Sequence, residues 1–290
     1  MWVVIGAAGQ LGRSLSTALT DAEIAHVSLT RDECDISSAA VVQDVMTRLK
    51  PTTVVNAAAW TAVDAAEDHP EEAGRINEIG ARNVAVACQR TGAQLVHIST
   101  DYVFDGKAVA PIAEDAVCAP RTVYGRTKRA GELAVMEALG EMSYVVRTAW
   151  LYSEHGHNFA KTMMRRAISG SAVHVVNDQV GQPTNAHDLA THIIDLVSQR
   201  APHGIYHGTN SGSATWYEFA RKIYRIAGAD EGLVSATDST SYPAKAERPG
   251  YSVLAHDRTV LHGIPEMRPW ESALLASAAA IRHSVENEKS

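Results

Sequence analysis

The chain has 290 residues, 46% hydrophobic and 20% charged, an ordinary balance for a folded protein that excludes disordered and fibrous classes. Its formal net charge of −7 argues against nucleic acid or an anionic membrane as a partner. No apolar run approaches the roughly 20 residues of a membrane helix. Met1 leads straight into a strand without a charged and apolar leader, and Cys34, Cys88 and Cys118 are too scattered for a disulfide framework or a zinc ribbon. A cytoplasmic protein is expected.

In chain order, Trp2–Ile5 is a short apolar run, and after a cluster of glycines Leu11, Leu15 and Leu19 recur at helical spacing. Val27 and Leu29 mark a second strand. Val41, Val42, Val45, Met46 and Leu49 form a helix face that Pro51 stops, and Thr53–Asn56 reads as a strand. Residues 71–90 read as one long helix, 95–98 as a strand, 124–139 as a helix and 144–147 as a strand. Continuous β-branched runs alternating with helices predict strands buried on both faces, hence a parallel, doubly wound α/β sheet of Rossmann type. Beyond residue 150 the rhythm breaks: a helix is predicted near 158–169, strands near 173–177 and 204–207, and a helix near 186–199. From 209 onward only loops and short helix are expected, and the polar end Glu286–Ser290 reads as frayed. The division expected is a dinucleotide-binding domain over 1–150, with later sheet pieces near 184–208, and a smaller domain mainly over 151–290.

Gly6, Gly9 and Gly12, with Gln10 and Leu11 between them, lie between the first strand and the first helix. Glycines there permit a tight turn and a close backbone approach, so that the helix N-terminus can offer free N–H groups to a pyrophosphate. The ribose end is expected about 20 residues later. Arg31 stands there and suits a 2′-phosphate, since its planar fork grips phosphate bidentately. Asp32 follows it, so NADPH is favoured and NADH stays open. Asp35 and Ile36 resemble a pair that sits beside adenine in such folds. Ala57, Ala58 and Ala59 follow the third strand, and their small side chains would let a dinucleotide lie against the backbone.

Tyr124 and Lys128 are spaced i, i+4 and share a helix face. A lysine held near a tyrosine stabilises the phenolate and lowers a pKa that is ordinarily roughly 10. Ser99 and Thr100 come just after the strand at 95–98, where open α/β sheets bind ligands. Thr100 precedes Tyr124 by 24 residues, a spacing that lets hydroxyl and phenol converge on one carbonyl oxygen. His203 and His207 stand on a predicted strand about 13 Å apart, too far to share a metal, and no metal ligands are assigned.

Taken together, the glycine turn at 6–12, Asn56–Ala59, Ser99–Phe104 and Tyr124–Lys128 resemble the extended short-chain dehydrogenase/reductases. Thr61–Asp64, Arg147–Tyr152, Asn158–Ala160, Asn177–Gln179 with Gly181, Pro183–Thr184 and Arg248–Pro249 narrow the resemblance to the dTDP-4-dehydrorhamnose reductase group, from residue 2 to about 275. The resemblance implies NAD(P)H-dependent reduction of the C4 ketone of a dTDP-4-keto-6-deoxyhexose. It makes Tyr124 the general acid, Lys128 a ligand of the nicotinamide ribose that also tunes Tyr124, and Thr100 a hydrogen-bond partner of the same oxygen. Tyr102 and Trp150 would line the sugar pocket, Asn158 would touch the nucleotide sugar, and Arg248 would pair with its diphosphate. Some relatives are magnesium-linked dimers using a glutamate where this chain has Arg13 and Ser14, so magnesium is doubtful here and an oligomer is left open. Two rival readings share the scaffold. An epimerase or dehydratase is disfavoured because Asp101–Tyr102 replaces the acidic pair that elimination needs. A non-catalytic NADP-binding regulatory subunit need not keep Thr100, Tyr124 and Lys128, yet all three are present.

Overall fold

Alternate residues of the first strand pack on opposite sides, Trp2 and Val4 into one apolar cluster and Val3 and Ile5 into another. Two-sided burial of this kind makes the strand central to a sheet covered on both faces. The computed structural model describes residues 1–242 and 244–288. Its elements are β1 (Trp2–Ile5), α1 (Gln10–Asp21), β2 (His26–Leu29), α2 (Ala39–Leu49), β3 (Thr53–Asn56), α3 (Val63–Asp68), α4 (Pro70–Gly74), α5 (Ala81–Thr91), β4 (Gln94–Thr100), α6 (Val123–Leu139) and β5 (Ser143–Thr148). There follow β6 (Leu151–Tyr152), α7 (Phe159–Ile168), β7 (Val173–Val176), β8 (Val180–Gly181), β9 (Thr184–Asn185), α8 (Ala186–Ser198) and β10 (Gly204–His207). The last are β11 (Ala214–Thr215), α9 (Trp216–Ala227), β12 (Val234–Thr237), α10 (Asp257–Leu261) and α11 (Trp270–Asn287).

Six parallel strands form the main sheet in the order β10-β5-β4-β3-β1-β2. The chain leaves β1 toward β2 and then returns to the other side through β3. That reversal opens a crevice at the C-terminal ends of β1 and β3, where doubly wound sheets bind ligands. One face of the sheet is covered by α1 and α8, through Leu11, Leu15, Leu19, Leu189, Ile193 and Leu196. The other is covered by α2, α5 and α6, through Val42, Val45, Met46, Val84, Cys88 and Val135. A third cluster, away from the main sheet, joins α7, α9 and α11 to β7 and β12.

Three expectations are corrected. The single helix over 71–90 is α4 and α5 joined by a π-helical turn, Arg75–Gly80, which admits one more residue per turn and re-aims the side chains around it. Beyond residue 209 there is more than short helix: α9 has 12 residues and α11 has 18. Nor is the whole polar end loose. Glu286 and Asn287 are the last residues of α11, and Glu288 binds Lys161 and Arg165 on α7, an ion pair between remote segments that composition cannot reveal. Lys289 and Ser290 lie outside the described residues.

Candidate active site

Gly6 stands at φ 87°, and a Cβ on it would come within 2.7 Å of the Ala58 nitrogen; one on Gly12 would lie 2.2 Å from the Gly6 carbonyl. Both positions therefore need glycine. Their reward is backbone-to-backbone contact between the turn after β1 and the segment after β3. Helix α1 begins there with Gly9 as its N-cap, without a capping side chain and without an acidic residue in its first turn. Its free N–H groups and positive dipole end are suited to an anion.

Two cavities flank this turn. The smaller, about 220 Å³, is lined by Gly6, Arg31, Asp35, Ile36, Ala57, Ala58 and Ala59 among others. Asp35 accepts from the Ser37 amide at 2.9 Å, and that bond, with the nearby cations Arg31 and Arg75, holds its carboxyl below the usual range. Arg31 lines this cavity whereas Asp32 does not. The larger cavity, about 630 Å³, runs from Gly9, Gln10, Leu11 and Gly12 past the ends of β4 and β5 to α7 and α9. Thr100, Tyr102, Tyr124, Lys128, Trp150, Asn158 and Arg248 all border it. The expected chemistry-bearing residues thus meet in one place.

The details depart from expectation at several of them. Strand β4 extends through Ser99 to Thr100, so Thr100 is its last residue rather than a loop residue. The Thr122 hydroxyl caps α6 by accepting from the Gly125 amide at 3.0 Å, which fixes the helix start beside Tyr124. Burial pushes the Tyr124 phenol up to about 12; a hydrogen bond with Thr100 pulls the other way, and the charge of Asp101 adds to the rise. The depression expected from Lys128 is absent. Its ammonium instead donates to the Ile98 carbonyl at 2.6 Å, and burial brings Lys128 itself down to about 8, with Glu132 opposing. An i, i+4 spacing places two side chains on one face but cannot say which acceptor the longer one will choose.

Asn158 is likewise committed. Its carbonyl oxygen caps α7 by accepting from the Lys161 amide, and its amide donates to Gln10 Oε1 at 2.9 Å and to the Ser153 carbonyl at 2.8 Å. It ties the first helix to the α7 side of the cavity, rather than offering a free group to a ligand. Arg248 donates to Asp64 Oδ2 at 2.6 Å and to the Ala246 carbonyl. A diphosphate would have to compete with that carboxylate.

Two contributors escaped the sequence reading. Trp216 stacks on Trp150 at 3.5 Å between centroids and 8° between planes. Trp150 adopts φ 45° to do so, and a side chain on Gly181 would strike its indole at 2.5 Å. The local signal was Thr215–Glu218, a capping box that starts α9 and sets Trp216 at its first position. Asn77, in the π-helical turn, accepts from the Trp60 amide at 2.8 Å and donates to the Trp60 carbonyl and to Thr127 on α6. It thereby pins the loop after β3 to the helix that carries Tyr124. No group of three or more His, Cys, Asp or Glu side chains among the described residues is arranged to hold a metal, and Ser14 is buried.

A family model described as the RmlD substrate binding domain matches residues 1–283. The chain belongs to this family. The dTDP-4-keto-6-deoxy-D-glucose reductase of Streptomyces niveus is 45% identical over 273 residues, 94% of either chain. The dTDP-4-dehydrorhamnose reductase of Streptomyces griseus is also 45% identical, over 97% of this chain and 93% of its own. Among solved structures, a dTDP-4-dehydrorhamnose reductase from Bacillus anthracis in complex with NADP is similar at a TM-score of 0.92 and 39% identity, covering 95% of this chain and 97% of that one.

Proposed function

We propose that the protein is an NADPH-dependent reductase acting on the C4 ketone of a dTDP-4-keto-6-deoxyhexose, giving dTDP-L-rhamnose or a related dTDP-6-deoxy sugar. The observation that carries this reading is the convergence of Thr100, Tyr124 and Lys128 on one cavity that opens beside the glycine turn. Relatives named as reductases of this substrate class align over nearly the whole chain, and the tight turn that Gly6 and Gly12 permit sets the uncapped start of α1 against both cavities, which fits a dinucleotide pyrophosphate. When bound, NADPH supplies the hydride.

The chain's own residues divide the remaining work. The start of α1 holds the pyrophosphate, Arg31 the 2′-phosphate, Asp35 and Ile36 the adenine side, and Ala57–Ala59 the strand-facing edge of the dinucleotide. Lys128 binds the nicotinamide ribose. Tyr124 donates its proton to the ketone oxygen as negative charge develops there, and Thr100 donates a hydrogen bond to the same atom. A phenol held up at about 12 keeps its proton at neutral pH, and an alkoxide is basic enough to take it. Tyr102 and the Trp150–Trp216 stack wall the sugar, and Asn158, bonded to Gln10 and Ser153, ties the first helix to the α7 side of that pocket. Arg248 exchanges Asp64 for the substrate diphosphate. Residues 1–150 with β10 are assigned to the cofactor and 151–290 mainly to the nucleotide sugar. Both ligands are water-soluble anions, which supports a cytoplasmic placement, and no helix among the described residues is long and apolar enough to cross a membrane.

The test is oxidation of NADPH by the purified protein with dTDP-4-keto-6-deoxy-L-lyxo-hexulose, the product sugar being identified by NMR. Turnover with a rhamnose product supports the reading. Absence of turnover with this and with other dTDP-4-keto-6-deoxy sugars overturns it.

A further inference from the structure

Asp101 begins the turn after β4 and is 3% exposed. One carboxyl oxygen, Oδ1, lies 2.9 Å from Thr100 Oγ1; the other, Oδ2, is buried with no hydrogen-bond partner. With Oδ2 unpartnered at this depth, burial outweighs the donors around the carboxyl group and favours its neutral form. The neighbouring hydroxyl makes the state of this acid matter. Thr100 Oγ1 has one proton and two lone pairs, and one lone pair already accepts from the Tyr102 amide at 3.2 Å.

If Asp101 is ionised, it takes the only proton Thr100 has. Thr100 then turns a lone pair toward the cavity, where a ketone oxygen would be repelled. If Asp101 is protonated, its O–H donates to the second lone pair, and the Thr100 proton is left for the cavity. All three positions on Oγ1 are then used, the freed proton facing the Tyr124 oxygen until a ketone oxygen enters beside it. We propose that Asp101 works as a neutral carboxylic acid, a positioning residue that donates to Thr100 and so frees the Thr100 proton for the substrate oxygen. The inference rests on the reductase reading above.

The surroundings agree. Burial pushes Asp101 up to about 6, while Ser252, Thr100 and the backbone of its own turn pull it down. A negative Asp101 also raises the phenols of both Tyr102 and Tyr124, so the neutral form leaves Tyr124 the better acid. The charged and titratable groups on the packed elements are Tyr102 on the same turn and Tyr124, Lys128 and Glu132 along α6. Arg147 on β5 pairs with Glu132, and Arg248 with Asp64 beyond Tyr102. Of these only Lys128, at about 8, is brought into the working range.

The experiment is the single-turnover rate of NADPH oxidation by the dTDP-4-keto sugar from pH 5.5 to 9.5, in wild type, Asp101→Asn, Thr100→Val and the double variant. An asparagine amide can donate to Thr100 as the acid does, but it cannot ionise. The wild-type rate should fall about tenfold per pH unit above the ionisation of Asp101. Asp101→Asn should lose that limb and keep only the one due to Lys128. Thr100→Val should lose the tenfold-per-unit Asp101 limb, keeping only the Lys128 limb and the shallow direct effect of the Asp101 charge on Tyr124. The double variant should differ from it by no more than that direct effect, because Asp101 acts mainly through Thr100. An unchanged limb in Asp101→Asn, or a full Asp101 limb that persists in Thr100→Val, overturns the inference. Thermal melts check folding, and the Thr100→Val profile decides the question even where Asp101→Asn does not fold. Wild-type protein that never turns over the sugar refutes the reductase reading itself, which is a separate outcome.

Discussion

The ion pair beneath the site gives the strongest prediction about stability. Glu132 lies one turn beyond Lys128 on α6, is fully buried, and receives two parallel bonds from Arg147, Nε to Oε1 and Nη2 to Oε2, each 2.9 Å. Arg147 also donates to the Glu114 carbonyl at 3.1 Å and lies over the Phe104 ring at 5.0 Å. Changing Arg147→Met keeps the apolar stem but strands the Glu132 charge, with only Arg129, itself 26% exposed, to compensate. Breaking a buried pair from one side costs about 3–5 kcal/mol, a large share of the roughly 5–15 kcal/mol that holds a folded chain. At about 2–4 °C per kcal/mol for chains somewhat smaller than this one, the melting temperature should fall by roughly 10 °C. Urea denaturation followed by circular dichroism measures the loss directly. The double variant Glu132→Leu/Arg147→Met removes both charges and should be more stable than Arg147→Met alone. A loss below about 1 kcal/mol in Arg147→Met, or a double variant no better than that single one, would refute the reasoning.

Tyr124→Phe keeps the ring and its edge-on packing with Tyr102 but removes the proton; kcat should fall by roughly 10²–10⁴ while NADPH affinity measured by fluorescence holds. Retention of more than a tenth of turnover, with chemistry rate-limiting, would place the proton elsewhere. Arg31→Asp should lower kcat/KM for NADPH relative to NADH at least tenfold, and an unchanged ratio would make Arg31 mere surface charge. Activity should survive excess EDTA, because Ser14 stands where a metal-linked relative has a glutamate; a loss restored by magnesium alone counts against this. Stability should decline on acidification. His97, His192 and His207 are buried and held low, His192 at about 4 and His207 at about 3, so below about pH 6.5 the unfolded chain takes up protons that the folded one refuses. The loss approaches ~1.4 kcal/mol per pH unit per histidine. Asp101, raised to about 6, offsets one of them between its folded and ordinary values. Equal urea midpoints at pH 7.5 and 5 would contradict this.

What could be seen in the sequence was whatever a short window encodes. The glycine turn, the buried strands and the helical spacing of Tyr124 and Lys128 are local patterns, and the cavity assembles around them. What stayed hidden depends on partners far along the chain. Trp216 meets Trp150 across 66 positions and Asn77 meets Thr127 across 50, and nothing near any of these residues names the other. The choice of the Ile98 carbonyl by Lys128 was hidden for a related reason: a spacing fixes a face, whereas the acceptor belongs to a neighbouring strand. Helix α9 is a different kind of miss. Its capping box is a local pattern, but it follows a Gly- and Ser-rich stretch whose composition favours loops.

Helix α6 shows why the hidden contacts matter to function. Tyr124, Lys128 and Glu132 repeat every four residues along one face, reaching from the cavity down to Arg147 on β5. Gly131 lies against the π-helical turn, where a Cβ would come within 2.1 Å of the Asn77 carbonyl, and Thr127 is bonded to the same residue. The helix is therefore held on one side by a buried ion pair and on the other by a backbone approach that only glycine permits. Neither contact touches the cavity, yet together they fix the rotation and height of the helix, and with them the Tyr124 oxygen. A shift of one ångström in a proton donor can cost as much as a hundredfold in rate. Gly131→Ala, which changes no residue lining the cavity but displaces the helix that carries Tyr124, should for that reason reduce kcat more than it reduces NADPH affinity. Equal losses in the two would mean that the helix is set by the cofactor and not by its packing.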